Sequence, residues 1–231
     1  MKFGIIQFPG SNDDRDALHV ARDVLGCDGE LIWHKDTDLR GADVVFLPGG
    51  FSYGDYLRTG AMAKFSPVMN EVVRHAERGG LVIGICNGFQ ILCETGLLPG
   101  VLVRNRDLKF VCAPWHLRVE NTDNPFFSTC KEGDVIRVPI KHGDGCYYAD
   151  QETLARINGE GQVMVRYCGP KGEVDERHNP NGSLENIAGV CNAGRNVFGM
   201  MPHAEHATET QTESADARKI FESVLNKAKS L

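Results

Sequence analysis

The chain has 231 residues, a formal net charge of −6, a pI near 5.8 and 42% hydrophobic residues. That is enough apolar material for a sizeable core, and an acidic chain without a basic stripe argues against a nucleic-acid partner. No stretch approaches a membrane span, the apolar run after Met1-Lys2 is too short for a signal peptide, and the eight scattered cysteines show no C-x-x-C pair or Cys/His metal spacing. A chain able to build such a core has little use for a disulfide framework, so a reducing cytosol is the expected location.

Taken in order, Phe3–Phe8 predicts a strand, and Gly10-Ser11-Asn12 can cap a helix from about Asp13 to Leu25. Asp13, Asp14 and Asp16 are read as complements to that helix's dipole rather than as metal ligands. Strands are expected near Glu30–His34 and Asp43–Leu47, then a helix within Ala61–Glu77. Leu81–Ile85 is continuously apolar, as a central strand covered on both faces would be, and helical spacing takes over from Asn87. After about Val101 the pattern turns to extended segments, Phe110–Glu120, Asp134–Ile140, Gln162–Tyr167, Ile187–Asn192 and Val197–Met201. Asn181-Gly182-Ser183 matches a glycosylation sequon but is read as a turn. A last helix, about Ser214–Ala228, puts Ile220, Phe221, Val224, Leu225 and Ala228 on one face. No repeat, linker or low-complexity segment interrupts the chain. The expectation is therefore one domain over residues 1–231, a three-layer α/β/α sandwich with an antiparallel extension.

Cys86 falls on the corner between the Leu81–Ile85 strand and the following helix, between Gly84 and Gly88. This is the arrangement of a nucleophile elbow, where glycines permit a sharp turn and leave substrate access. Backbone N–H groups and the helix dipole favour a thiolate there. On G-x-C-x-G alone, a small buried hydrophobe explains Cys86 equally well. A nucleophile needs a base and the base an orienting group. In extended backbone His203 and Glu205 would share a face, about 6.5–7 Å apart, so that the carboxylate holds one imidazole nitrogen while the other meets the thiol. By the same parity His206, the rival base, points to the opposite face. Gly49-Gly50, after the Asp43–Leu47 strand, free the backbone to aim N–H groups at an oxyanion, although a plain flexible loop is the simpler reading of Gly-Gly by itself.

Together, G-x-C-x-G-x-Q, the preceding Pro48-Gly49-Gly50 and the distal Pro202-His203-x-Glu205 resemble the triad-type (class I) glutamine amidotransferases. Phe8-Pro9-Gly10-Ser11-Asn12, the string Gly49 to Arg58, Gly84 to Leu92, Pro139 to Gly145 and Met200 to His203 are similar to the glutaminase subunits of phosphoribosylformylglycinamidine synthases. The chain departs from that pattern at Ala204, commonly proline, and at His206, more usually arginine. The resemblance implies a flavodoxin-like class I amidotransferase fold in which Cys86, His203 and Glu205 hydrolyse L-glutamine to glutamate and ammonia. It implies an oxyanion hole and substrate contacts from Gly49, Gly50, Phe51, Asn87 and Gln90, and it places Arg58, His142 and Tyr147 at the pocket or an interface. No metal or cofactor is expected in this chain. ATP and magnesium are expected in a large partner synthase subunit that consumes the ammonia in purine biosynthesis, and a small third subunit is expected to bridge the two. Two other readings stay open: a cysteine hydrolase or chaperone of the flavodoxin-like superfamily, and a catalytically inactive interaction subunit.

Overall fold

In the computed structural model, residues 1–212 and 214–228 are described. Eleven strands are present among them: β1 (Lys2–Gln7), β2 (Asp28–Trp33), β3 (Val44–Leu47), β4 (Leu81–Ile85), β5 (Val101–Val103), β6 (Val111–Val119), β7 (Val135–His142), β8 (Cys146–Tyr148), β9 (Val163–Cys168), β10 (Ile187–Cys191) and β11 (Val197–Met200). Nine of them form one sheet in the order β2-β1-β3-β4-β11-β10-β9-β6-β7, while β5 and β8 pair separately. The first five run parallel and the rest are antiparallel, so the expected sandwich with an antiparallel extension is what the chain builds. β3, β4, β10 and β11 are buried at every position, as their unbroken apolar runs require of strands covered on both faces.

The helices are α1 (Asp14–His19), α2 (Pro67–Glu77), α3 (Asn87–Glu94), α4 (Gln151–Gly159) and α5 (Arg218–Ala228). α1 is shorter than expected because it passes into a π-turn over Val20–Val24. The final helix begins at Arg218 rather than Ser214, with Ile220, Phe221 and Val224 buried; the side chain of Ala228 lies outside the described residues. On one face of the sheet, Gly29 of β2 lies under Leu18 and Ala21, and Phe46 stacks on Phe221 of α5 at 6.2 Å. On the other face Gly84 and Gly199 lie side by side in register under α3. Phe46, Ile83 and Phe198 are almost wholly buried, each contributing about 2 kcal/mol of burial free energy.

Three elements had no counterpart in the sequence reading. β5 and β8 are three residues each, too short to show periodicity. α4 buries only Ile157 of its nine residues, so it has almost no apolar stripe. Its one legible signal is Asp150, whose carboxylate accepts from the Thr153 N–H at 2.7 Å as an N-cap. The sequon residue Asn181 is buried, its amide donating to Gly145 O at 2.8 Å, which fits the turn reading.

Candidate active site

Cys86 joins β4 to α3 with φ 51° and ψ −107°, a strained conformation for an L-residue, and its N–H donates to Met200 O at 2.8 Å. The strain sits on the cysteine itself, which corrects the role expected of the flanking glycines. A Cβ on Gly84 would lie 2.7 Å from the Gly88 carbonyl carbon, and one on Gly88 would lie 2.7 Å from the Leu47 carbonyl carbon. These glycines let α3 sit directly on β3 and β4, and that close seat forces the turn at Cys86.

β11 ends at Met200, and Ala204–His206 form one turn of 3₁₀ helix. The His203 N–H donates to Pro139 O at 2.8 Å, and Nδ1 lies 2.6 Å from Glu205 Oε1, both side chains being buried. Nε2 is enclosed and has no hydrogen-bond partner among the described residues, which leaves it for the Cys86 sulfur. Burial pushes the imidazolium down, but the Glu205 carboxylate and Cys86 outweigh it and raise His203 to about 10. The buried carboxylate and the neighbouring sulfur thus favour an imidazolium at His203.

His206 does not lie on the opposite face. The strand parity used to place it there fails because the backbone has turned helical. Its Nε2 is 3.6 Å from Glu205 Oε1 and 3.0 Å from Asp13 Oδ1, and its ring lies 5.5 Å from that of His203. The dipole reading of Asp13 is likewise incomplete. Asp13 Oδ2 is 3.7 Å from His203 Nδ1, while Oδ1 is ion-paired with Lys141, whose ammonium lies 3.1 Å from His206 Nε2. Burial raises the Asp13 carboxyl, but the His206 hydrogen bond and the charges of His203 and Lys141 hold it far below the usual range. The available signal was position: Asp13 follows β1 at the carboxyl edge of the parallel strands, where α/β sheets build their sites. Ligand atoms of Asp13, His203, Glu205 and His206 lie within 4.8 Å of one another, close enough to hold a metal ion, although Lys141 already supplies a cation there. Gly49 makes room for this group, since a Cβ on it would lie 2.7 Å from His203 Cε1.

A cleft opens over Cys86, with Gly50, Phe51, Gln90, His142 and His203 in its walls. Two bonds, Asn12 N–H to Gly49 O and Phe51 N–H to Gly10 O, flank the bridge between Ser11 and Gly50. They commit the Phe51 amide, correcting its expected availability to an oxyanion, and leave the Gly50 N–H outside the bridge. The Asn87 side chain accepts from the Ser52 N–H at 3.2 Å and donates to Gln90 Oε1 at 2.9 Å, and Gln90 Nε2 donates to Asp144 O at 2.7 Å. These bonds tie the glycine loop to α3 and to the far wall. His142 is buried in that wall, where burial and the charge of His203 lower it to about 4. Arg58 is exposed outside the cleft and paired with Glu94 at 2.6 and 2.7 Å. Tyr147 belongs to neither pocket nor interface: it is fully buried, stacked on Phe89 at 6.2 Å, with its hydroxyl donating to Pro99 O at 3.0 Å. Its size and apolar ring suit it to filling the space under α3.

Residues 1–228 match the family model described as a CobB/CobQ-like glutamine amidotransferase domain. The chain is 58% identical over 228 residues to phosphoribosylformylglycinamidine synthase subunit PurQ of Gloeobacter violaceus, covering 99% of this chain and 98% of the relative. It is 53% identical to the same subunit of Trichormus variabilis over 231 residues, covering both chains completely. Among solved structures, that of PurLQS from Thermotoga maritima superposes with a TM-score of 0.87 at 41% identity, covering 98% of each chain. Another glutamine amidotransferase from Thermotoga maritima, at 14% identity and a TM-score of 0.57, shares the fold over 100% of this chain and 92% of its own. No helix among the described residues is long and apolar enough to cross a membrane. With sequence, sheet order and the cysteine elbow in agreement, the chain belongs to the CobB/CobQ-like glutamine amidotransferases and, within them, to the PurQ subunits of phosphoribosylformylglycinamidine synthase.

Proposed function

We propose that the chain is a glutaminase that hydrolyses L-glutamine to glutamate and ammonia and hands the ammonia to an ATP-dependent synthase subunit making phosphoribosylformylglycinamidine. The observation that carries the reading is the His203–Glu205 hydrogen bond of 2.6 Å beside a cysteine held in a strained elbow. The Cys86 thiolate adds to the side-chain carbonyl carbon of glutamine, and the carbonyl oxygen takes up the negative charge. The amides of Gly50 and Asn87 are the donors that receive it, Asn87 being at the start of α3, where N–H groups lack helical partners. The C–N bond breaks as His203 gives its proton to the departing nitrogen, leaving ammonia and a thioester. His203 then takes a proton from water, whose oxygen attacks the thioester; glutamate leaves and the thiolate returns. Glu205 keeps the imidazole in the tautomer that presents Nε2 to sulfur. No step calls on a cofactor of this chain, and ATP with magnesium belongs to the partner. A small third subunit bridging the two, and a cytosolic location, complete the reading.

The test uses the assembled synthase. With Cys86→Ala, the complex should lose amidine formation from glutamine and keep it from added ammonium salt. Loss of both activities, or retention of the glutamine-dependent one, would refute the division of labour. An inactive interaction subunit would instead give an intact wild-type complex that releases no ammonia from glutamine.

A further inference from the structure

Backbone strain and unsatisfied polar atoms coincide in a part of the cleft wall that the chemistry above does not use. In the loop after Gly50, Tyr53, Gly54, Asp55 and Leu57 all have positive φ, at 55°, 64°, 55° and 71°. Three of these are not glycine, so the loop keeps its shape only because its surroundings over-determine it. The clamp is Tyr53: its N–H donates to Pro9 O at 2.7 Å, and its hydroxyl lies 2.7 Å from His34 Nδ1 and 2.8 Å from Ser66 Oγ. The outcome of that strain is the placement of Asp55 in the cleft wall, with Oδ1 buried and without a hydrogen-bond partner among the described residues.

A second orphan lines the same cleft. The Asn105 side-chain amide donates to both Lys109 O and His142 O at 2.9 Å, which fixes its orientation. Its Oδ1 is therefore an acceptor, taking the Gly145 N–H at 3.0 Å and lying 3.2 Å from His142 Nδ1. The ring proton of His142 must then sit on Nδ1, so Nε2 presents a lone pair. His142 is only 3% exposed, and Nε2 has no partner among the described residues. Asp144 adds negative charge to the same wall, its Oδ1 lying 3.8 Å from the exposed Arg104. Burial and the Asp144 charge push the Asp55 carboxyl up to about 6, as expected of an acid without a cation. Buried acceptors left unpaired in this way need a donor, and two of them beside a second carboxylate specify a cationic one.

Resting on the glutaminase reading, we infer that Asp55, with His142 Nε2 as a second acceptor, receives the α-ammonium group of L-glutamine. The ligand class is a primary amine alpha to a carboxylate, carried at the opposite end of the substrate from the carboxamide that meets Cys86. Asp55 is then a specificity residue: it distinguishes free glutamine from amides lacking an α-amine.

The experiment compares ammonia release from L-glutamine and from 4-carbamoylbutanoate, which is glutamine without its α-amine, by the wild-type chain and Asp55→Asn in the presence of the synthase subunit. Asp55→Asn should raise the KM for glutamine roughly tenfold or more, the scale of a lost charge-assisted hydrogen bond, with a smaller change in kcat. The kcat/KM for 4-carbamoylbutanoate should stay within about twofold, because that ligand never used the carboxylate. Labelling of Cys86 by iodoacetamide, which also lacks an amine, reports whether the elbow is intact, and Asp55→Ala should show the same selectivity loss. An unchanged KM for glutamine, or an equal loss for both substrates, would overturn the assignment while leaving the glutaminase reading in place. Failure of the wild-type complex to release ammonia from glutamine would overturn both.

Discussion

Replacing Glu205 with glutamine tests the dyad at its tightest contact. The carboxylate is 2.6 Å from His203 Nδ1 and has no exposed side-chain surface. Raising His203 from 6.5 to about 10 corresponds to on the order of 5 kcal/mol favouring the imidazolium, shared between Glu205 and Cys86 after burial has been offset. A glutamine there keeps the shape, removes the charge and offers an N–H₂ that donates to Nδ1, moving the ring proton to the nitrogen that must accept from sulfur. In a triad with a single carboxylate this kind of change costs about 10⁴ in kcat. Here Asp13 Oδ2 stands 3.7 Å from the same nitrogen, so part of the orientation survives, and the expected loss is about 10²–10³. The assay is ammonia release from glutamine by the assembled complex, with Asp13→Asn and the double variant in parallel. The double variant should fall further than either single one. A loss below about tenfold for Glu205→Gln, or a double variant no worse than the single, would refute the shared-carboxylate argument.

Because His203 takes up its proton more readily folded than unfolded, the stability it contributes is present in full below about pH 6.5 and lost as pH rises towards 10. The urea midpoint difference between wild type and Glu205→Gln should therefore shrink over that window. Cys86→Gly should unfold at higher urea than Cys86→Ala, by about 1–2 kcal/mol, since glycine accepts the φ of 51° without strain. Gly88→Ala should lose about 3 kcal/mol in the same measurement, because its Cβ would press on the Leu47 backbone, which cannot yield. His206→Ala should reduce glutaminase activity less than His203→Ala, acting indirectly through its contacts with Asp13, Lys141 and Glu205. A glutamine-shaped electrophile should label Cys86 ahead of Cys93, whose thiol burial and Glu94 push up, as peptide mapping would show.

The central strands and the elbow were legible because full burial on both faces leaves an unbroken branched apolar run, as in Leu81–Ile85 and Val197–Met200. The His203–Glu205 pair was found through a periodicity that does not apply there. Residues 204–206 turn helical, and the same turn that brings Glu205 under His203 also brings His206 towards Asp13. Asp13 and Lys141 were hidden for another reason: each is locally ordinary, a helix-start acid and a strand-end base, and only the sheet order makes them neighbours. Tyr147 shows the reverse case: it lies just beyond the Pro139–Gly145 string, and its polar tip says nothing about which way the ring is buried.

The place of β11 in the sheet has a consequence for how the molecule comes together. Residues 197–200 lie between β4 and β10, so the parallel half and the antiparallel half touch through a strand encoded more than a hundred residues after its parallel neighbour. Neither half can complete its ladder before that strand docks, and such long-range closure is slow compared with forming local hairpins and helices. The same strand leads directly into Pro202-His203. A chain in which that strand has not docked carries its cysteine without the histidine that shares its cleft in the folded molecule.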